Sequence, residues 1–242
     1  MYYPKWDLHN HTVASGHAYS TLEEVADAAA KRGLELVGIS DHGPAMPGGP
    51  HLYYFGNQRQ VPRRIGEIQV RFGVEANIIS PGGKLDLPTA LLRELDFVAA
   101  GLHVDTGYEG QTKAQHTKTL IAAMENPAVD FIVHPGNPRF PIDVEAVAKA
   151  AVRTGVALEV NNSSLTMARL GSEEICLQLA LLLAELGGQV ILGSDSHVSS
   201  NVGKLDAAVA LARKAGLREE QILNGSTERL KAYLARRRRQ KA

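Results

Sequence analysis

The sequence predicts an α/β fold, a single barrel of parallel strands wrapped by helices. Three observations point there. Short apolar runs alternate with helix-length amphipathic stretches along the chain, the pattern of βαβ units. The 242 residues suit one α/β barrel better than two domains. No Pro/Ser-rich linker divides them, and no internal repeat is visible. A doubly wound open sheet is the structural alternative.

The elements follow in order. Residues 6–12 read as the first strand. Residues 21–32 read as a helix: Thr21 and Glu24 form a capping box, Leu22, Val25, Ala26 and Ala29 share one apolar face, and Gly33 stops it. Residues 36–40 form the second strand, a stretch within 69–79 the third and 97–102 the fourth. A helix over 112–125 ends at Asn126-Pro127, and 131–133 is the fifth strand. Asp143 caps a helix to Thr154, with Gly155 after it, and 157–160 is the sixth strand. The helix Ser172–Leu186 stops at Gly187-Gly188, strand seven is 190–192, and helices over 204–215 and 227–235 close the chain. One segment resists assignment. Residues 43–57 carry Pro44, Pro47, Gly48, Gly49 and Pro50, then Tyr53, Tyr54 and Phe55. They read as a long functional loop whose aromatics cover the barrel mouth.

Composition narrows the function. Hydrophobic residues make up 44% and charged residues 21%, a normal balance for a folded globular chain. Lys+Arg and Asp+Glu are both 26, so no basic surplus favours nucleic acid. The one basic run, Arg236 to Arg239 with Lys241, reads as a solvated helix end. Cys176 is the sole cysteine, which excludes an intramolecular disulfide and a cysteine-based zinc site; it reads as core. The first residues lack a signal-peptide apolar region, and no apolar stretch reaches membrane-spanning length. A cytoplasmic location is the expectation, with no membrane partner. Oligomeric state is not readable.

The histidines carry the chemistry. There are nine. His9 and His11 lie two apart in an extended segment, so both rings face one side. Asp195 and His197 repeat that spacing after strand seven. His17 follows strand one, His42 strand two, His103 strand four and His134 strand five, while Glu75 lies in strand three. Nearly every strand thus delivers a His, Asp or Glu near its C-terminal end, the face where β/α barrels build active sites. A lone His-x-His is a weak signal, and Glu75 alone would read as a salt-bridged residue. The set is specific, because such a convergence of ionisable groups needs compensation. Divalent cations supply it, and a mixed nitrogen and oxygen donor set suits Zn, Mn or Fe. No organic cofactor is expected.

Some residues stand apart. Arg169, after strand six, could meet a phosphate bidentately or be a surface arginine. His51, in the aromatic loop, is a second candidate substrate contact. His116 reads as an exposed helix residue. Asp7 shares a face with His9 and either orients a ligand histidine or belongs to a buried polar network.

The run Asp7-Leu8-His9-Asn10-His11-Thr12, then His17, Ser40-Asp41-His42, Gly73-Val74-Glu75, His103, His134-Pro135 and Gly193-Ser194-Asp195-Ser196-His197 resembles the PHP superfamily, named for polymerase and histidinol phosphatase. The segments Glu159 to Ser164 and His134 to Pro138 resemble its small stand-alone bacterial phosphatases. The resemblance covers nearly the whole chain, residues 1–242, as one metal-dependent hydrolase domain. It implies a distorted seven-stranded, TIM-like barrel with about three divalent metal ions, zinc foremost. By analogy His9, His11, Glu75 and Asp195 hold one ion; Glu75 bridges to a second with His103 and His134; His17, His42 and His197 hold a third. A metal-bridging hydroxide would then attack a small phosphate monoester, with Glu75, Asp195 and His197 as the catalytic residues.

Histidinol phosphatase is the named runner-up, and a PHP-type nuclease or phosphodiesterase the next. A barrel amidohydrolase also opens with His-x-His, but it uses a lysine near the end of strand four. Here Ala99-Ala100-Gly101-Leu102 leads into His103 without one. A non-catalytic module would lack ligand positions, and all nine are filled.

Overall fold

The computed structural model describes residues 3–108 and 110–241. Seven parallel strands form a nearly closed barrel: β1 (Trp6–Asp7), β2 (Leu36–Ile39), β4 (Ile68–Asn77), β5 (Phe97–Gly101), β6 (Phe131–Ile132), β7 (Ala157–Asn161) and β8 (Val190–Gly193), adjacent in that order. A short strand, β3 (Arg64–Ile65), pairs antiparallel with the start of β4. The seam between β1 and β8 is closed just beyond both strands, where His11 N donates to Ser196 O at 2.8 Å and Ser196 N to His9 O at 3.3 Å.

The helices are α1 (Leu22–Lys31), α2 (Leu52–Asn57), α3 (Thr89–Glu94), α4 (Lys113–Glu125), α5 (Val144–Thr154), α6 (Asn162–Thr166), α7 (Ser172–Leu186), α8 (Asp206–Lys214) and α9 (Thr227–Lys241). The six expected helices appear in order, with three short ones that the sequence did not foretell, α2, α3 and α6. The Thr21–Glu24 capping box starts α1, and Asp143 caps α5 through Ala146 N at 2.9 Å. Gly155 and Gly187 end α5 and α7 in the left-handed conformation, which costs glycine least.

Strand alternation divides the residues into two environments. One face of β4, β5 and β7, bearing Val74, Val98 and Leu158, packs against the helices. The other face points inward, where Trp6, Phe97, Phe131, Ala157 and Ile191 fill the lumen. Helix α9 seals its lower end: Leu230 and Tyr233 join this cluster, and the Tyr233 hydroxyl bonds Asp130 O and Ala157 N. The apolar lumen thus rises to a polar ceiling. Glu159 sits two residues above Ala157 on the same face, and Glu75 pairs in register with Ala99.

Three expectations change. The basic run is solvated at Arg236, Arg238 and Arg239, as expected, but not at Arg237. Arg237 is buried and donates to Val129 O at 2.6 Å and Thr154 O at 3.0 Å, carbonyls at the lower rim of the barrel. Arg236 reaches Gln189, and Arg238 the carbonyl of Asp96; the side chain of Lys241 lies outside the described residues. His116 is buried on the inner face of α4, its Nδ1 3.3 Å from Pro141 O and its ring against Phe140. The aromatic segment is no structureless cover for the mouth. Residues 52–57 form α2, Phe55 is buried in the main core, and only Tyr53 stands in solvent. Among the described residues, no helix is long and apolar enough to cross a membrane.

Candidate metal centre

The ceiling of the lumen gathers the chain's ionisable groups around one carboxylate. Glu75 is fully buried, and its two oxygens face different partners. Oε1 lies 2.9 Å from His103 Nε2 and 2.8 Å from His134 Nε2, which are 3.1 Å apart. Oε2 lies 3.3 Å from His9 Nε2, 3.2 Å from His11 Nε2 and 3.0 Å from His42 Nδ1. Asp195 Oδ1 completes that second side, 3.4 Å from His9 Nε2 and 3.5 Å from His11 Nε2. Donors held 2.0–2.2 Å from a tetrahedral ion stand roughly 3.3–3.6 Å from one another. Several of these separations match that edge.

Further out, the His17 ring lies 5.0 Å from His42 and 4.9 Å from His197, stacked on both. Three sets of donors come within reach of a shared ion: His9, His11 and Asp195; His42, Glu75 and His103; His11, His42 and His197. The grouping by resemblance put His17 in the outer set, where the geometry brings His11 closer. It also separated His42 from Glu75, which touch.

A polar test of fit agrees with a cation. His9 Nε2, His11 Nε2, His42 Nδ1 and Glu75 Oε2 are buried with no hydrogen-bond partner. Such orphans are rare in folded proteins, and these four point at one another.

Electrostatics prepare the donors. Burial disfavours a charged Glu75, yet His42, His9 and His103 outweigh it and hold the carboxyl well below its usual range. Burial likewise opposes ionised Asp195, and His9 and Arg169 overcome it. Burial drives His134 and His197 down to about 4, and lowers His42 and His17, so these imidazoles are neutral and ready to donate. His11 goes the other way: despite burial, the Asp195 and Glu75 carboxylates beside it, 3.5 and 3.2 Å from its Nε2, raise it to about 9. A proton there answers the carboxylate charge that a cation would otherwise meet.

The His9 and His11 rings are held from behind. His9 Nδ1 lies 2.6 Å from Glu159 Oε1, whose Oε2 accepts from His134 N at 2.8 Å and Asn161 Nδ2 at 3.0 Å. A Cβ on Gly193 would fall 1.8 Å from Glu159 Oε1, so glycine there makes room for the carboxylate. His11 Nδ1 lies 3.1 Å from Ser15 Oγ, which donates to Asp41 Oδ1 at 2.7 Å. Asp41 also accepts from Thr12 N, Thr12 Oγ1 and the Tyr54 hydroxyl, so α2 is tied to the centre through its carboxylate. Asp7 serves backbone rather than a ring, accepting from His9 N, Ser194 N and Gly203 N. His134 and Asp195 both hold positive φ, 32° and 55°, rare for non-glycine residues and typical of functional sites.

Arg169 comes to the site from the loop after α6. Half-buried, it donates to Asp195 Oδ2 at 2.9 Å and Ser164 Oγ at 3.1 Å. His51 stays exposed and caps α2, its Nδ1 accepting from Tyr53 N; it does not line the mouth above the histidines. Sequence reasoning assigned no role to Glu159 or Asp41. A carboxylate within a run of buried apolar strand residues was the available signal for Glu159.

Comparison with known proteins agrees with this geometry. The PHP domain model matches residues 7–163. A probable phosphatase of Caldanaerobacter subterraneus subsp. tengcongensis is 46% identical over 233 residues, covering 96% of this chain and 92% of that protein. Another from Shewanella sediminis is 45% identical over 231 residues, covering 96% and 94%. Among solved structures, the histidinol phosphate phosphatase of Lactococcus lactis subsp. lactis, complexed with zinc, L-histidinol and phosphate, superposes with a TM-score of 0.63. It is 19% identical, with 89% of this chain and 95% of that one covered, a likeness of fold. The matched stretch carries His9, His11, His17, His42, Glu75, His103 and His134, and with relatives this similar over nearly their full length the chain belongs to the PHP family.

Proposed function

We propose that this chain is a metal-dependent phosphatase that hydrolyses a small phosphate monoester at a centre of about three divalent ions, zinc foremost. The observation that supports it best is the division of Glu75: one oxygen for His103 and His134, the other for His9, His11 and His42. A carboxylate so flanked can bridge two cations. Bound cations would lower the pKa of a water and neutralise phosphoryl oxygens.

The chain's own residues do the rest. His9, His11, Asp195, His42, His103, His134, His17 and His197 would hold the ions beside Glu75, and Glu159 and Ser15 orient the rings of His9 and His11. Arg169, already anchored on Asp195, also lines the mouth, where its remaining N–H groups can donate to a phosphoryl oxygen. In the net reaction water oxygen bonds phosphorus, the ester P–O bond breaks, and the alcohol leaves with a proton. No protein nucleophile is required.

The experiment is a panel of phosphate monoesters and one diester, bis(4-nitrophenyl) phosphate, with protein loaded separately with Zn²⁺ or Mn²⁺. Metal-dependent monoester turnover well above diester turnover is expected. A preference for the diester would favour the phosphodiesterase reading, and no monoester turnover with either metal would overturn the proposal.

A further inference from the structure

Above the donors lies a cavity of about 540 Å³. It is large enough for a small leaving group. Its wall is mainly apolar, from Met46, Leu102, Val104, Pro138, Phe140 and Leu170. Leu170 is 90% exposed at the rim of this wall.

The charged lining is one-sided. Arg139 and Arg169 both face the cavity, and no Asp or Glu among the described residues lines it. Asp195 lies beneath and is engaged by Arg169. Arg139 is exposed, and its guanidinium makes no hydrogen bond or ion pair with the described residues; only its backbone N is engaged, by Asn137. Asp105, on the same loop as Val104, is exposed but does not line the cavity.

Resting on the phosphatase reading, we infer that the leaving group has an apolar body and an anionic group met by Arg139, and that esters of amino alcohols are poor substrates. The physical reason is the balance at the mouth. An ammonium entering here would lose water against an apolar wall, meet Arg139 and find no lining carboxylate among the described residues. A carboxylate or second phosphate would instead gain a charge-assisted bond. The same reasoning weighs against histidinol phosphate, whose leaving alcohol carries an amine.

Benzyl phosphates test this, since a distant substituent scarcely alters the leaving alcohol. With metal-loaded protein, kcat/KM should fall in the order 4-carboxybenzyl, benzyl, 4-(aminomethyl)benzyl phosphate, with on the order of tenfold or more between the ends. R139Q should bring the carboxybenzyl-to-benzyl ratio towards one, and R139E should invert the order of the two charged esters. A wild-type preference for the aminomethyl ester, or a ratio unchanged in R139Q, would overturn the inference. Calorimetry with the corresponding phosphonates reads the same order without turnover. Absent hydrolysis would therefore count against the phosphatase reading, and equal phosphonate affinities against this one.

Discussion

Replacing Glu159 by Gln should weaken metal binding without unfolding the barrel. The Glu159 carboxylate accepts on both oxygens: His9 Nδ1 at 2.6 Å on Oε1, His134 N at 2.8 Å and Asn161 Nδ2 at 3.0 Å on Oε2. An amide has one acceptor oxygen and one donor nitrogen, so one of those N–H groups must face another donor in a buried site. Leaving such a group unsatisfied costs about 1–3 kcal/mol. The lost charge also makes the His9 ring a weaker donor, and partners of this kind are worth about 10–100-fold in metal affinity. A second variant reaches the same group from the other side. In Gly193→Ala the new Cβ falls 1.8 Å from Glu159 Oε1 and must push the carboxylate from His9. Competition with a chromogenic chelator measures Zn²⁺ affinity, and circular dichroism checks the fold. Both variants should lose at least about tenfold. Affinities within about twofold of wild type in two folded variants would refute the reasoning that Glu159 sets His9 for metal.

Other expectations follow from the same geometry. Glu75→Gln should lower activity by about 10²–10³-fold, because one carboxylate serves two sets of donors, and more than His17→Ala at the exposed edge; equal mild losses would count against the bridge. Phe55→Ala should cost about 3–5 kcal/mol in a denaturation curve, since the ring is 2% exposed, while Tyr53→Ala should stay within about 0.5 kcal/mol. Comparable losses would mean that α2 is packed differently. Metal uptake near pH 7.5 should release protons, because His11 is raised to about 9 in the metal-free protein and must lose its proton to bind a cation. A weakly buffered titration with Zn²⁺ that shows no acidification would exclude a protonated His11.

Much of this was legible because barrel strands and their helices announce themselves locally. Apolar runs of strand length and capped helices such as Thr21 to Lys31 are set by neighbouring residues. The His-x-His spacing works for a similar reason: the backbone around His9 and His11 runs on as an extended ladder to Ser196, although β1 itself ends at Asp7. What stayed hidden depends on tertiary contacts. Helix α2 is six residues long, contains Gly56, and stands because His51 caps it, Phe55 is buried and Tyr54 reaches Asp41. The burial of Arg237 and His116 depends on carbonyls and rings distant in sequence, Val129 O among them. His and Asp enter positive φ more readily than most residues, but the local sequence does not say that His134 and Asp195 are among those that do.

The central claim is that Glu75 joins separate donor sets into one multinuclear centre. Elemental analysis of gently purified protein, reconstituted with Zn²⁺ and compared with Glu75→Gln, tests it most directly. Nine donor residues, at three protein ligands per catalytic ion with Glu75 shared, predict about three ions per wild-type chain and clearly fewer in the variant. A wild-type content of about one or less, or a variant that keeps the full complement, would contradict the account.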